Sequence, residues 1–305
     1  MNEAQEKTLF ALFPACLIGS VINWSILYSI FKIPSLKHAF GYLCANQALS
    51  DALHSTSFLL FFCPMVLLDQ SFLKSHSHHC GFFLYFCYEV SVCTHLVMSL
   101  NRCFATWTPY HYQKVFSDDM TKIVILCVWI YTGTVSVLFF QTFCQFYYDE
   151  EIQFLTFTNT ELCRVISWYG VFLKNAAVVA VIMVMDIATV IKVRHSSRKI
   201  MKSSGGETPN AFSQREIRFL KQTVFQGAVF MLELSTYFFV PKYFENRWAV
   251  FLATSFAWVA VHAADGIVVI IFNPEIRRYL LSHGKQVHSK TAISFSSTPH
   301  GRVCT

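Results

Sequence analysis

The chain has 305 residues, of which 54% are hydrophobic and 14% are charged, and this charged fraction is well below the roughly 25% of soluble domains. A water-soluble core of this size could not bury so much apolar surface, and the 31 phenylalanines favour a lipid environment. The net charge of +6 lies mainly between apolar segments, which argues against a nucleic-acid partner, and the 11 cysteines show no metal-ligand spacing.

Seven apolar segments are each long enough to cross a bilayer, which takes about 20 residues of helix. They predict an all-α integral membrane protein, a bundle of seven transmembrane helices. The first segment is expected to serve as its own insertion signal, and the sixth to continue beyond Pro241 with a kink. In chain order the segments are Leu9–Phe31, Tyr42–Leu68, Cys80–Leu100, Ile123–Phe143, Val165–Ile191, Val224–Val240 and Trp248–Phe272.

Positive charge is concentrated on one side of these segments. If residues 1–8 are extracellular, 18 of the 24 Lys and Arg lie on the inner side and five on the outer side, which predicts an N-terminus outside and a C-terminus in the cytoplasm. The longest inner loop is then Lys192–Gln222. The membrane domain, 9–281, ends in a predicted amphipathic helix at Pro274–Leu281, and the Ser/Thr/His-rich tail 282–305 is predicted to be disordered.

Six ionisable residues lie inside the apolar segments, where a charge costs at least about 2.5 kcal/mol. Each is a candidate for function, and the alternative is that they pair with one another or with polar side chains to hold the bundle together. Glu89 lies about 20 Å along its helix from the inner end, and Lys174 is its expected ion-pair partner, so the two are candidates for a ligand pocket. The six residues are Asp51, Glu89, Lys174, Asp186, Glu233 and Asp265.

The third segment ends in Asn101-Arg102-Cys103, with Pro109 and Tyr112 downstream. Here the chain resembles the rhodopsin-like receptor superfamily, whose third helix ends in Asp/Glu-Arg-Tyr with Pro and Tyr in this register. Asn101 replaces the acidic residue and Cys103 the first tyrosine. The resemblance extends to the second segment, where Asn46–Asp51 is close to the superfamily pattern, and to Asn23, which precedes Asp51 by 28 residues.

Within that superfamily the amino-acid sequence is most similar to those of the nematode serpentine chemoreceptors of class X, the Srx type. The segments that carry this similarity are Phe40–Ala48, Pro64–Asp69, Tyr88–Ser91, Ser99–Cys103, Tyr112–Ser117 and Phe272–Arg277. The resemblance implies a G-protein-coupled chemosensory receptor in the plasma membrane, with the sensory cilium as one location. Its expected partners are a heterotrimeric G protein, a small-molecule or odorant ligand and the lipid bilayer. Enzyme activity is not expected, and a transporter, channel or non-signalling scaffold is the alternative.

For individual residues, the resemblance implies that Arg102, with Asn101, Pro109 and Tyr112, forms the switch that a G protein engages; a membrane-edge anchor is the alternative role for Arg102. At the inner end of the sixth helix, where the resemblance would place an acidic partner for Arg102, this chain has no acid and Lys221 is nearby, so any latch is built differently.

A central polar site is the second implication of the resemblance. Asn23, Asp51, Ser91 and Asp265 are expected to converge in the middle of the bundle. A sodium ion near Asp51, or one proton shared between the two carboxylates, would balance their charge. No other cofactor is expected.

Two further points concern the outer half. Leu84 stands where amine receptors carry an acid on the third helix, so an amine held from that position is not expected. Cys80 and Cys163 resemble the disulfide that joins the third helix to the second outer loop, with Cys144 as the rival partner.

Overall fold

The computed structural model describes residues 3–150, 154–203 and 211–282. Seven of its helices are long and apolar enough to cross a membrane, so the predicted seven-helix bundle is confirmed. Six of them contain the whole of a predicted segment, and the fourth ends at Gln141, two residues before the predicted end at Phe143. The helices are α1 Glu3–Lys32, α2 Ala39–Leu68, α3 Ser77–Trp107, α4 Asp118–Gln141, α5 161–203, α6 Ala211–Tyr243, α7 Arg247–Phe272 and α8 274–282.

Polar side chains mark where several helices begin. The Ser117 hydroxyl accepts a hydrogen bond from the Met120 amide at the start of α4, and Thr160 accepts one from Cys163 at the start of α5. Asn246 caps α7 by accepting from the amides of Trp248 and Ala249. Such caps satisfy amide groups that have no partner within the helix, so the loops end where these residues stand.

Four of the spans contain a π-helical turn: Phe58–Phe62 in α2, Val137–Gln141 in α4, Ile166–Leu173 in α5 and Leu252–Phe256 in α7. The turn in α2 comes just before Pro64, whose ring nitrogen cannot donate to the helix ladder. Helix α6 continues past Pro241, as predicted, and ends two residues later at Tyr243. The proline therefore disturbs only its last turn.

Helix α3 is the most buried span and packs against α2, α4 and α5 and against the second outer loop. Asn46 of α2 joins it to α4, because its amide donates to Thr94 at 2.7 Å while its oxygen accepts from the Trp129 indole at 2.7 Å. By contrast, α4 is mostly exposed on its apolar face, as a lipid-facing helix should be. The central position of α3 places its polar residues among those of the other helices.

A β-hairpin in the second outer loop is the one departure from the all-helical prediction within the described residues. Strands β1 (Phe146–Asp149) and β2 (Phe154–Phe157) pair antiparallel, with Phe146 opposite Phe157. The Tyr148 amide donates to Ser77 of α3 at 3.1 Å, and the Leu155 amide donates to Ser255 of α7 at 3.4 Å. The hairpin thus covers the outer mouth of the bundle.

The hairpin approaches α3 closely at Gly81. A β-carbon at this position would collide with the Phe146 carbonyl oxygen, so only glycine allows the contact.

At the hairpin's outer edge, Lys74 contacts Asp69 at 2.7 Å and Glu150 at 3.0 Å, which ties the first outer loop to the second. Its hydrogen bond to Asp69, followed by that to Glu150, raises the pKa of the Lys74 ammonium.

The disulfide differs from the expected pair Cys80–Cys163. Cys163 is bonded to Cys144, with 4.8 Å between their α-carbons, while Cys80 is a free, buried thiol in the first turn of α3. The hairpin explains the difference, because pairing β1 with β2 brings the two ends of the loop together. The Thr158 amide extends this pairing by donating to the Gln145 carbonyl at 2.9 Å, next to Cys144.

This pairing predicts which cysteines matter for assembly. Cys144→Ser and Cys163→Ser should each reduce surface expression to a similar extent, and the double variant should be no worse than either. A cross-link closing a loop of this size contributes about 3 kcal/mol. Cys80→Ser, the matched control, should remain near wild type in a cell-surface immunoassay. A loss with Cys80→Ser and none with Cys144→Ser would contradict the observed bond.

The helix α8, at 274–282, forms where the amphipathic helix Pro274–Leu281 was predicted and is one residue longer. The Asn273 oxygen starts it by accepting from the amides of Glu275 and Ile276. Ile276 is buried against the bundle, whereas Arg277 and Arg278 are exposed. The predicted disordered tail, apart from Ser282, lies outside the described residues.

Candidate functional site

The inner end of α3 is held to α6 by Arg102. This side chain is only 2% exposed, and its Nη1 donates to the Thr223 hydroxyl of α6 at 3.0 Å. The guanidinium carbon also lies 4.6 Å from the centre of the Phe40 ring of α2, a cation–π distance. A neutral hydroxyl and an aromatic face are therefore among the contacts of this arginine. The role of membrane-edge anchor fits poorly with such burial.

The other predicted switch residues lie beside Arg102. Pro109 begins a short helix, Pro109–Val115, that turns back beneath α3. Its Tyr112 hydroxyl accepts a hydrogen bond from the Asn101 side chain at 3.3 Å. Asn101 therefore holds the inner loop through this hydrogen bond. Its side-chain amide is uncharged, so it forms no ion pair with Arg102.

The structure brings Asp51, Ser91 and Asp265 together in the middle of the bundle, as predicted. The Ser91 hydroxyl donates to Asp51 Oδ1 at 3.1 Å. The Gln47 amide contacts Ser91, donates to Asp51 Oδ2 at 3.1 Å and reaches Asp265 Oδ2 at 3.4 Å. Both carboxylates are 1% exposed, so their charge has to be balanced by neighbouring groups.

Two histidines that the sequence reasoning missed stand next to these carboxylates. His262 Nδ1 lies 2.8 Å from Asp51 Oδ1, and His95 Nε2 lies 3.2 Å from Asp265 Oδ2. The His54 ring packs on His262 with 3.9 Å between ring centres. The sequence contained a signal for both, because His262 lies three residues before Asp265 and His95 lies four residues after Ser91. At these spacings each histidine shares a helix face with a predicted site residue.

Asn23 lies at the edge of this cluster and contacts backbone atoms in place of the carboxylates. Its side-chain amide donates to the Gly19 carbonyl at 2.9 Å and to the His262 carbonyl of α7 at 3.0 Å. Gly266 allows this close approach of α1 to α7, because a β-carbon there would lie 2.7 Å from the Asn23 side-chain oxygen. Asn23 therefore holds α1 against α7 and orients His262 indirectly.

Glu89 and Lys174 form the expected ion pair in the outer half of the bundle. The Glu89 carboxylate also accepts from the Tyr85 hydroxyl at 2.7 Å and from the Asn175 amide at 2.9 Å. Its hydrogen-bonding capacity is thus largely used within the protein. The two residues do not line the outer cavity, which differs from the prediction that they would contact a ligand there.

The outer cavity has a volume of about 30 Å³ and lies between α3, α5, α6, α7 and the hairpin. Seven of its ten lining residues are aromatic, among them Tyr88, Tyr237 and Trp258. Glu233 of α6 is its single acidic lining residue. The sequence marked Glu233 as an intramembrane acid but could not show which way it faced around the helix.

Residues 13–273, which include all of these sites, match the family described as serpentine type 7TM GPCR chemoreceptor Srx. The chain belongs to the Srx family. Two relatives come from Caenorhabditis elegans. Serpentine receptor class X 45 is 28% identical over 95% of this chain and 84% of its own length, and Serpentine receptor class X-43 is 28% identical over 87% and 83%.

The fold of this Srx chain is also that of rhodopsin. A crystal structure of squid rhodopsin superimposes with a TM-score of 0.74 at 16% identity, covering 93% of this chain and 86% of that one. At this identity the match shows the shared fold alone. Together with the family match, it identifies the chain as a multi-pass seven-transmembrane chemosensory receptor of a receptor family, not an enzyme family.

The Srx bundle has one more buried acid in its inner half. Asp186 of α5 accepts a hydrogen bond from Ser99 of α3 at 2.8 Å. Its second oxygen has no partner among the described residues, and neither side-chain polar atom of Gln226 on α6 has one. This contact agrees with a structural role for Asp186 in joining α3 to α5.

Proposed function

We propose that this Srx receptor lies in the plasma membrane of a chemosensory cell, including its cilium, and binds a small molecule in the outer cavity. Ligand binding shifts α6, which releases the contact between Arg102 and Thr223 and opens an inner cleft. The C-terminal helix of a heterotrimeric G protein then enters the cleft around Arg102, with Asn101, Pro109 and Tyr112 shaping its edge.

The continuity of α6 is the observation that carries this proposal. The helix runs without interruption from Ala211 to Tyr243 and bears both Glu233 of the outer cavity and Thr223 of the inner contact. Ten residues, about 15 Å of helix, separate the two. A rigid element that reaches both sites can transmit a displacement from one to the other.

Phe230 lies on α6 between the two sites and packs α6 against α3 and α7. It is 2% exposed and packs against Tyr88 and His95 of α3, with ring centres 5.8 and 5.2 Å apart, and against His262 of α7 at 6.0 Å. These rings place α6 next to the central polar cluster. A change in the charge balance of that cluster is therefore expected to alter the equilibrium between the inactive and active packings.

An assay of G-protein activation across a chemical panel tests the proposal. Cells expressing the receptor, with surface expression verified by an epitope tag, would be exposed to small metabolites and volatile compounds while Gα–Gβγ dissociation is recorded. We expect a dose-dependent response to a subset of compounds. Unchanged Gα–Gβγ signals for every G-protein class and every compound, at verified surface expression, would favour the non-signalling alternative.

The proposed function requires the N-terminus outside and the C-terminus in the cytoplasm. From the charge bias of 18 against five, an epitope inserted at 203–206 should be stained only after permeabilisation. A second epitope at the N-terminus serves as the opposite control and should be stained on intact cells. Staining of the 203–206 epitope on intact cells would overturn the orientation.

A further inference from the structure

The outer cavity contains a carboxylate whose charge the described residues do not balance. Glu233 is 6% exposed, and its side chain makes one hydrogen bond, a long one of 3.5 Å from the Tyr88 hydroxyl to Oε2. No Lys, Arg or His among the described residues lies within ion-pair distance of it. A buried carboxylate without a counter-ion is costly, because water no longer solvates its charge.

The other acids of the outer and central bundle differ from Glu233 in this respect. Glu89 pairs with Lys174, and Asp51 and Asp265 each contact a histidine. Glu89 is only one residue from Tyr88 on α3, yet Lys174 and Asn175 of α5 hold it away from the cavity. Each of these three acids therefore contacts a basic side chain, whereas Glu233 lines the cavity.

The rest of the cavity wall is suited to a cation. Tyr237 and Trp258 contribute aromatic rings on the sides, while Phe146 and Phe157 of the hairpin close the top. Aromatic faces carry negative electrostatic potential and attract ammonium groups, most strongly where water is excluded. The Tyr237 hydroxyl lies 3.4 Å from the Leu155 carbonyl oxygen, which holds the hairpin over the cavity.

We infer that the outer cavity binds a compact organic cation, an aliphatic or aromatic amine whose ammonium group pairs with Glu233 and whose apolar part lies against the aromatic rings. This inference rests on the proposed function only in taking the cavity as the receptor's ligand site. The cavity volume of about 30 Å³ requires a compact ligand, and the aromatic side chains of the wall have to move apart to admit its apolar part. The carboxylate comes from α6, so it does not require the acid on α3 that Leu84 replaces.

The contact also gives the ligand a means of moving α6. Glu233 and Thr223 lie on the same helix, so an ammonium that draws Glu233 toward the cavity displaces the partner of Arg102 as well. A neutral ligand of the same shape would fill the aromatic space without this pull. Charge, and not shape alone, is therefore the expected determinant of selectivity.

The test measures binding to the purified full-length receptor in lipid nanodiscs by thermal stabilisation. The probes are tetramethylammonium, isopentylamine and phenethylamine, with isopentanol and phenethyl alcohol as uncharged counterparts. We expect at least one amine to raise the unfolding temperature in a saturable way, while its counterpart does so at least about 30-fold more weakly. Stabilisation by the alcohols alone, or by none of the amines, overturns the inference.

Glu233→Gln provides the matched variant, since it keeps the size of the side chain and removes the negative charge. It should weaken amine stabilisation by about 30-fold or more, whereas Glu245→Gln, at an exposed acid beyond the end of α6, should leave it unchanged. Retained amine binding in Glu233→Gln overturns the inference. If Glu233→Gln does not fold, the comparison of amine with alcohol on the wild-type receptor still decides.

The outcomes separate this inference from the proposed function. Amine binding without any G-protein response would contradict the signalling proposal and leave the cation site intact. A G-protein response to a neutral ligand that persists in Glu233→Gln would contradict the cation site and leave the signalling proposal intact.

Discussion

Arg102→Ala is expected to abolish ligand-dependent G-protein activation, with a reduction of at least about 100-fold in the response, while much of the surface expression remains. The side chain contacts Thr223 and Phe40 in the closed bundle, yet its burial also carries a desolvation cost that offsets part of their contribution. In the open bundle no other residue can supply its five planar donors to a G-protein helix. Dissociation of Gα from Gβγ at matched surface levels is the measurement.

Three companion variants distinguish coupling from anchoring. Arg102→Lys keeps the charge but loses the planar fork, so partial signalling should remain. Thr223→Val removes the hydroxyl that Arg102 contacts on α6 and should raise basal activity while leaving the ligand response present. Arg278→Ala, at an exposed arginine of α8, should behave like wild type. Wild-type signalling from Arg102→Ala would contradict the proposed mechanism.

Asp51→Asn and His262→Gln are each expected to lower the free energy of unfolding by about 3 kcal/mol, and the double variant should recover a substantial part of that loss. Each single change leaves one member of a fully buried pair without its partner, whereas the double change leaves two neutral side chains. The measurement is a double-mutant cycle of thermal stability in detergent. Strictly additive losses would show that the two groups do not interact.

The same cycle bears on the sodium ion considered for this site. Because His262 and His95 lie within hydrogen-bonding distance of the two carboxylates, we propose that these rings, and not a sodium ion, are their partners. Replacing sodium chloride by N-methylglucamine chloride at constant ionic strength should then leave the unfolding temperature of the wild-type receptor unchanged. A stabilisation specific to sodium that disappears in Asp51→Asn would restore the ion to the site.

Hydropathy and charge were sufficient to predict the seven spans, because a bilayer requires long apolar helices whatever their packing. The motif at Arg102 and the approach of Asp51 to Asp265 followed from the resemblance to rhodopsin-like receptors, and the pairing of Glu89 with Lys174 followed from their positions along the helices. Such inferences hold because an α-helix fixes which of its residues share a face. They fail where the rotation of one helix against another decides the contact, as at Glu233.

Two kinds of feature were not predicted from the sequence: contacts made by histidine side chains, and contacts between residues that the fold of a loop brings together. His262 and His95 were overlooked because histidine was not counted among the charged residues of the apolar segments, although each of the two contacts a carboxylate. The bond of Cys163 to Cys144 could not be deduced from spacing, since cysteine positions alone do not determine connectivity. It became evident only with the β-hairpin, whose strands bring the ends of the loop together.

The bond between Cys144 and Cys163 closes a covalent ring that contains no residue of α1, α2 or α3. Among the cysteines that the structure describes, none cross-links the first three helices to the last four. A single protease cut between α3 and α4, near Phe116, would therefore yield two fragments that separate on a denaturing gel without reductant. In the membrane we expect the same two fragments to stay together through helix packing alone.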